Sequence, residues 1–341
     1  MAIRISVVVS QSQSKNPAKR KLEEDIVMAL MLEPNIDVTV VPNLYDLKSD
    51  GTGMLALKGI GGNMVVCSWM FERAAHWILD RNAIHGHVGE VALRDDDPED
   101  EESETEDDKD RVIDAREIPN RRIYCLDLRI SNKAQTYVDE IKRIHDENSA
   151  KLVGLGDLTG ATGSNGSLPV TNGSGEQTDA ASIVNRVESK ASRRWYPVID
   201  YSRCTNCMEC IDFCLFGVYG VDRIDTILVE EPDNCRKGCP ACSRVCPENA
   251  IMFPQHKTPA IAGSSESAAS LKIDLSQLFG APQDNKNAVE VAALERDEQL
   301  VLAGRDAVGM SVGIAKRQAE PDSQERDDLD DLVDELNDLD L

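Results

Sequence analysis

Eight of the ten cysteines in this chain of 341 residues lie between Cys204 and Cys246, in two groups of four. The first group has the spacing C-x2-C-x2-C-x3-C, and the second has C-x3-C-x2-C-x3-C followed by Pro247. Cysteines at two-residue intervals let one tight loop present three thiolates to three corners of a cubane [4Fe–4S] cluster. The fourth thiolate must then come from another part of the chain. The two groups therefore predict iron–sulfur chemistry.

Structural zinc and disulfide bonds are the other common uses of clustered cysteines. A zinc site usually combines two separated C-x2-C pairs, and a run of three cysteines is crowded for that arrangement. Residues 1–11 contain a short apolar run and no recognisable cleavage region, so no secretory signal is indicated. A cytoplasmic, reducing compartment is therefore expected, where clustered cysteines bind metals more often than they form disulfides. Zinc is the alternative that the spacing leaves open.

Residues 196–256 resemble a bacterial-type two-cluster ferredoxin domain. Besides the cysteines, an internal repeat supports the resemblance, because an apolar extended segment precedes and follows each group: Val198-Ile199, Val218-Tyr219, Ile227–Val229 and Ala250–Met252. The resemblance implies a ferredoxin-like β-α-β-β-α-β fold, two [4Fe–4S] clusters and one-electron transfer. In this pattern the last cysteine of each group ligates the cluster of the other group. The implied ligands are Cys204, Cys207, Cys210 and Cys246 for one cluster, and Cys235, Cys239, Cys242 and Cys214 for the other.

The second group departs from the usual spacing by one residue. Arg236-Lys237-Gly238 separates its first two cysteines. Because glycine tolerates a positive φ, Gly238 is expected to accommodate the extra residue. Arg236, Lys237 and Arg244 also place positive charge near this group, and positive charge favours the more negative, reduced form of a cluster. The second cluster is therefore expected to have the higher reduction potential.

The N-terminal part alternates predicted strands with predicted helices. Apolar runs predict strands at 3–9, 37–41, 64–67 and 122–128, and helical spacing predicts helices at 17–32, 71–82 and 133–144. This alternation indicates a parallel sheet covered on both faces. We therefore expect an α/β domain of flavodoxin-like or Rossmann-like type over residues 1–150. Cys67 and Cys125 lie in its apolar strands and are expected to be buried as small hydrophobic residues.

The serine-rich turn after the first predicted strand is where such folds bind phosphate, at a helix N-terminus. Ser10, Ser12 and Ser14 are therefore candidates for binding the phosphate of flavin mononucleotide. No glycine lies between Ser10 and Asn16 to let a phosphate approach the backbone, which favours a plain polar connection. The glycine-rich segment 59–62 precedes a strand, so it fails as a dinucleotide fingerprint.

The formal net charge of −24 comes mostly from two acidic segments. Residues 95–108 contain eleven acidic residues and no basic one, and residues 322–341 contain ten acidic residues and one arginine. These segments would repel phosphates, so no nucleic-acid partner is expected. We expect a disordered acidic insert over residues 94–112. No uninterrupted apolar segment approaches the length needed to span a membrane.

The rest of the chain is expected to consist of a linker, the cluster domain and a tail. Gly, Ser, Thr and Asn are frequent between the two predicted domains, so a flexible linker over 151–193 should let the cluster domain at 194–258 move. Residues 259–341 are expected to be mostly disordered, apart from a helix of modest amphipathicity at 287–303. The segment 327–341 is acidic and has apolar residues at helical spacing, so it is a candidate for docking on a partner protein. These apolar residues are Leu329, Leu332, Val333, Leu336 and Leu339.

The expected function is that of an electron carrier, or of the electron-transfer subunit of a larger redox complex. Redox proteins would be its donor and acceptor, and residues 196–256 supply no nucleophile, acid–base pair or substrate pocket of their own. One alternative is a non-catalytic iron–sulfur protein of regulation or assembly that binds a partner through the acidic tail. A flavin-containing oxidoreductase is a further alternative.

Overall fold

The computed structural model describes residues 4–94, 110–157, 184–188, 192–264 and 288–312. Most of the predicted acidic insert, most of the predicted linker and the acidic segment 327–341 lie outside the described residues. Two units are described, an N-terminal sheet with its helices and a module that carries the eight clustered cysteines. No helix among the described residues is long and apolar enough to cross a lipid bilayer.

The N-terminal unit is an α/β domain built on one parallel sheet, as the alternation of strands and helices predicted. Its strands are Ile5–Ser10 (β1), Ile36–Val41 (β2), Met64–Ser68 (β3), His87–Val88 (β4), Arg122–Asp127 (β5) and Val184–Arg186 (β6). Its helices are Pro17–Leu30 (α1), Thr52–Lys58 (α2), Glu72–Arg81 (α3) and Ala134–Asp157 (α4), with short 3-10 helices at Leu44–Asp46 and Val112–Ala115. The strand order is β4-β5-β3-β1-β2-β6, and every neighbouring pair is parallel.

The sheet forms because its central strands are apolar on both faces, as parallel sheets require. In β1, Val7 and Val9 pack on one side with α1 and α4, whereas Val8 packs on the other side with α2 and α3. All three valines are fully buried. Because β1 lies between β2 and β3, the topological switch point of the sheet falls at the carboxyl ends of β1 and β3, where α/β folds place ligands.

Three segments differ from the sequence-based expectation. Residues 184–186 were expected in the linker but form β6, which pairs with β2 and is joined to α1 by the Arg186–Glu24 ion pair at 2.6 Å. Residues 87–88, for which the sequence predicted no strand, form an edge strand beside β5. Val112 was assigned to the disordered insert, yet its backbone N–H donates to the Cys204 carbonyl at 2.9 Å. None of these segments carries a long periodic pattern, so partners distant in sequence decide their conformation.

The cysteine module contains two short two-stranded sheets. Its elements are β7 (Val198–Ile199), α5 (Glu209–Phe213), β8 (Tyr219–Val221), β9 (Ile227–Val229), α6 (Ala241–Val245) and β10 (Ile251–Met252), with a 3-10 turn at Pro232–Asn234. β7 pairs antiparallel with β10, and β8 pairs antiparallel with β9. Each half of the internal repeat therefore contributes one strand to each sheet. The helix α7 (Pro259–Ala262), the helix α8 (Ala288–Leu302) and a 3-10 turn at Gly309–Ser311 follow.

The two units share one hydrophobic core. Tyr45 and Trp77 of the α/β unit pack in the same buried cluster as Tyr196, Val198 and Met252 of the cysteine module. The rings of Tyr45 and Tyr196 are stacked, with their centroids 4.3 Å apart. The Tyr45 hydroxyl donates to the Tyr196 carbonyl and accepts from the Tyr196 N–H at 2.6 Å, and the Tyr196 hydroxyl donates to the Tyr45 carbonyl at 2.9 Å. This reciprocal pair satisfies buried backbone groups on both sides of the junction.

A buried ion pair reinforces the junction. Arg73, near the start of α3, is paired with Asp200, which is 1% exposed. Arg194 adds a second connection, because its backbone N–H donates to Asp46 at 3.0 Å and its guanidinium donates to the Leu47 carbonyl at 3.2 Å. The expectation that the cluster domain moves freely relative to the α/β domain does not hold in this structure. Gly/Ser composition of the connecting segment says nothing about whether the units that it joins bury surface against each other.

We predict that Tyr45→Phe lowers the free energy of unfolding by about 2 kcal/mol, because the Tyr196 backbone N–H and carbonyl both lose a buried partner. Urea denaturation of the full chain measures this loss. Hydrogen exchange should show reduced protection at residues 194–200. Tyr137→Phe is the matched control, since it removes another buried hydroxyl, bonded to Ser131 within the α/β unit. A Tyr45→Phe protein as stable as the wild type would contradict the assigned role of the junction.

Candidate metal centres

Four cysteines from both groups line the first of two cavities in the module. Cys204, Cys207 and Cys210 of the first group and Cys246 of the second group surround an empty volume of about 360 Å³. The apolar wall of this cavity includes Ile199, Ile227, Ala250 and Ile251. The strand pairing between β7 and β10 places Cys246 beside the first loop. The structure therefore brings together the four residues that were predicted as ligands of the first cluster.

The first cysteine loop is shaped by local hydrogen bonds and by two left-handed residues. Asn206 and Met208, which lie between the cysteines, have φ values of 59° and 65°. Asparagine tolerates this region better than most residues. The Asn206 side chain also accepts from the Ile227 N–H at 2.9 Å, and the Cys204 N–H donates to the Asp200 carbonyl at 3.0 Å. Asp200 therefore connects the first loop to the junction with the α/β unit.

In the second cavity, three cysteines come from the second group and one from the first. Cys235, Cys239 and Cys242 of the second group and Cys214 of the first group surround an empty volume of about 320 Å³. Gly238, the residue expected to accommodate the longer spacing, has a φ of 91°. A Cβ atom is strained at that angle, so glycine suits this position. These four cysteines are the residues that were predicted as ligands of the second cluster.

Hydrogen bonds reach sulfur atoms in both cavities. The buried Tyr219 hydroxyl donates to Cys242 Sγ at 3.1 Å, and the Ala250 N–H donates to Cys246 Sγ at 3.3 Å. Trp195 Nε1 donates to the Cys239 carbonyl at 3.1 Å and thereby fixes the backbone of the second loop. Donors of this kind stabilise negative charge on sulfur and tune the potential of an iron–sulfur cluster.

Burial makes a bare thiolate unfavourable in these cavities. Burial and, to a smaller extent, neighbouring cysteines raise the pKa of Cys239 and of Cys246 to about 11, against backbone N–H donors that lower it. Burial also raises the pKa of Cys210 and Cys242. All ten cysteines are free thiols. Thiolates in such surroundings need bound cations to balance them, and the iron of a cluster supplies that charge.

Each cavity collects four thiols. In the part of the chain that the structure describes, no three His, Cys, Asp or Glu side chains lie close enough to hold one ion. Zinc needs four thiolates within about 2.3 Å of a single centre. A cubane places iron and sulfide atoms between its thiolates and holds them further apart. The residues present fit a [4Fe–4S] cluster, which takes four thiolates at each site.

Charged side chains make the two cavities electrostatically different. Glu209 and Glu248 line the first cavity, and Arg111 lies 3.3 Å from Glu248. Arg296, whose side chain is 1% exposed, lines the second cavity. Arg244, expected from the sequence to influence this site, is paired with Glu295 at 3.0 Å. The fully buried arginine beside the second site is therefore Arg296, which the sequence reasoning did not identify.

One sequence signal for Arg296 existed. The buried residues of α8 are Ala292, Ala293, Arg296 and Leu300, so the arginine interrupts the apolar face of a helix. A charged residue on the apolar face of a helix is expected either to form an ion pair or to contribute to a binding site. The cysteine spacing could not reveal it, because α8 begins more than forty residues after Cys246.

The comparison with known proteins supports a ferredoxin-like segment in this chain. The chain is 50% identical over 66 residues to an uncharacterized ferredoxin of Methanocaldococcus jannaschii. The match covers 19% of this chain and 44% of the archaeal protein, so the chain spans less than half the length of this relative. No protein-family model and no solved structure matches the chain.

The candidate phosphate loop of the α/β unit is occupied by a carboxylate of the chain itself. Glu23 is 2% exposed and lies against the serine-rich loop 10–14. It accepts from the Ser12 N–H at 2.7 Å and from Trp69 Nε1 at 2.9 Å, and Arg20 donates to it at 2.9 Å. A phosphate at this loop would lie close to that negative charge. The arrangement therefore disfavours the flavin phosphate for which this loop was a candidate. Cys67 and Cys125 are buried in the sheet, as expected.

A second carboxylate, Glu72, lies near the carboxyl edge of β5 at the start of α3. Burial raises its pKa to about 7, Arg94 opposes the shift, and Asp127 and Glu140 add to it. The ordinary pKa of a glutamate side chain is 4.5. The stability that depends on protonated Glu72 is therefore complete below pH 4.5 and is lost as the pH rises through about 7.

We predict that the free energy of unfolding of Glu72→Gln, relative to that of the wild type, rises by roughly 2 kcal/mol from pH 5 to pH 8. The reason is that the wild type must bury a charged carboxylate at the higher pH, whereas the amide has no charge. Chemical denaturation at both pH values measures the difference. Glu117→Gln, at an exposed position, is the control for the loss of one carboxylate. The same difference in free energy of unfolding between Glu72→Gln and the wild type at both pH values would contradict the raised pKa of Glu72.

Proposed function

We propose that this protein is an electron carrier, or the electron-transfer subunit of a larger redox complex, with two [4Fe–4S] clusters bound crosswise. One observation carries the proposal: each cavity collects three cysteines from one group and the fourth from the other. Neither a zinc ribbon nor a set of disulfides would require each cavity to take its fourth cysteine from the other group. The similarity to an archaeal ferredoxin supports the same assignment for the cysteine segment.

When bound, each cluster would accept and release one electron. The chain would hold it through four thiolates and exclude water from it with the apolar walls of the cavity. Tyr219 would stabilise charge on the Cys242 sulfur through its 3.1 Å hydrogen bond. The docked α/β unit would fix the orientation of the module through Tyr45 and Asp200.

The exposure of the cysteines indicates where a redox partner would approach. Among the eight cysteines of the two described loops, Cys207 alone is exposed. The Cys235 side of the second site instead packs against the core that the two units share. Because electron transfer requires short distances, a redox protein would exchange electrons at the first site, beside the exposed Cys207.

Chemical analysis of the anaerobically purified full chain tests the proposal. We predict about eight irons and eight acid-labile sulfides per chain, with the electron paramagnetic resonance signal of two coupled reduced cubanes after dithionite treatment. Zinc without sulfide would refute electron transfer and favour a structural protein.

Alanine variants test the crosswise ligation. We predict that Cys246→Ala and Cys204→Ala give the same reduced spectrum, because both variants lose a ligand of the first cluster. Cys214→Ala should match Cys242→Ala for the same reason. Each should retain about four irons per chain. Cys125→Ala, in the sheet, is the control and should retain both clusters. A spectrum of Cys246→Ala that matches Cys242→Ala would instead show that each group binds its own cluster.

We predict that the second cluster has the higher reduction potential, by on the order of 60 mV, which is tenfold in the equilibrium constant of a one-electron couple. The reason is the contrast between Glu209 and Glu248 at the first cavity and Arg296 at the second. Redox titrations monitored by paramagnetic resonance, with Cys246→Ala and Cys214→Ala to assign each cluster, measure both potentials. Equal potentials or the reverse order would contradict this assignment.

A further inference from the structure

The helix α8 lies outside both cysteine groups, yet it forms part of the wall around the second cavity. Ala292 and Ala293 are buried in the hydrophobic core of the cysteine module. Their small side chains let α8 approach α6, the helix that carries Cys242. Arg244 of α6 and Glu295 of α8 form an ion pair at 3.0 Å beside this contact. The packing brings the next residue of the same helix, Arg296, to the cavity.

Arg296 lies at the second site. It lines the cavity together with Cys214 and Cys239. Its Cζ atom lies 4.6 Å from the centroid of the Phe213 ring, and Phe213 directly precedes Cys214. The side chain is 1% exposed, so solvent does not screen its charge from the cavity. A positive charge is therefore held within the apolar surroundings of the second group of thiols.

Three hydrogen bonds hold the guanidinium in this orientation. Nη1 donates to the Val312 carbonyl at 2.9 Å, Nη2 donates to the Gly309 carbonyl at 2.6 Å, and Nε donates to Asp297 at 3.1 Å. Asp297 also accepts from the Gly309 N–H at 2.7 Å. Arginine can make such a set because its donors form a rigid planar fork. The segment that follows α8 therefore fixes the position of the charge.

An arginine that served only to order residues 309–312 would not have to lie in the cavity. Removing a guanidinium from water costs several kcal/mol unless other charges compensate it. Asp297 compensates part of the charge, and its own side chain is 13% exposed. Four iron-bound thiolates and a reduced cluster would place further negative charge on the cavity side. The site therefore explains why a charged residue occupies the apolar face of α8.

We propose that Arg296 is a component of the second cluster site and raises its reduction potential. The guanidinium stabilises the electron that the cluster takes from a donor protein, so residues 288–312 belong to the redox centre although they lie outside the ferredoxin-like cysteine segment. This inference rests on the proposed function. It adds that the potential of the second cluster depends on a helix distant in sequence from its ligands.

Charge variants of the full chain test this role. Arg296→Met keeps the packing of an unbranched side chain and removes the charge, and Arg296→Lys retains the charge. We expect Arg296→Met to lower the equilibrium constant for reduction of the second cluster about tenfold, a shift of about 59 mV to lower potential. Arg296→Lys should retain most of the wild-type potential. The first cluster should be unaffected in both variants.

Two further variants separate the buried charge from general effects. Lys237→Met removes an exposed charge from the loop of the same cluster, and it should shift the potential much less because water screens that position. Asp297→Asn removes the compensating negative charge, and it should shift the potential of the second cluster upward. Because Asp297→Asn should raise the potential that Arg296→Met lowers, the proposal can be tested even if Arg296→Met does not retain the second cluster.

The readouts are redox titrations monitored by paramagnetic resonance, with iron and sulfide quantified on the same samples. An unchanged potential in Arg296→Met with both clusters present would overturn the inference. So would equal shifts in Arg296→Met and Arg296→Lys, or a downward shift in Asp297→Asn, since packing rather than charge would then be the cause. A wild-type chain without iron and sulfide would refute the proposed function itself. That result differs from one in which both clusters are present but their potentials do not depend on Arg296.

Discussion

The exchange of one cysteine between the two groups is the constraint on which the cysteine module depends. In the sheet of β7 and β10, Ile199 is paired with Ile251. Cys204 lies five residues after Ile199 and Cys246 five residues before Ile251, so the antiparallel pairing brings these cysteines to the same cavity. In the other sheet, Tyr219 is paired with Val229, which brings Cys214 towards Cys235 in the same way. Each cavity is therefore lined by cysteines from both halves of the repeat.

Low polarity in the cavities links the stability of the sites to their electrostatics. The apolar walls that raise the pKa values of the buried thiols also weaken the screening of any charge nearby. A single buried side chain can then outweigh several exposed ones. This is why Arg296 is a stronger candidate for tuning the second site than Lys237, which is nearer in sequence to the ligands but exposed.

The residues that the sequence identified are those whose pattern is local. Valine-rich runs located β1, β2 and β3 to within two residues, and the cysteine spacing identified the two sets that line the cavities. Features made by distant parts of the chain were not visible. The stacking of Tyr45 on Tyr196 joins residues 151 positions apart. Likewise, β6 forms by pairing with the edge of β2. Composition described the segment between the two units correctly as rich in small polar residues, but it could not show that the units pack against each other.

The docked arrangement gives the two sites unequal surroundings. The second site has α8 on one side and the shared core near Tyr45 on another, whereas the first site carries the exposed Cys207. Asp200 connects these features, since its side chain binds Arg73 of the α/β unit and its carbonyl accepts from the N–H of Cys204. A movement of the α/β unit would therefore displace the first cysteine loop as well. The α/β unit and the first cysteine loop are thus joined through one buried residue, Asp200, which bonds to both.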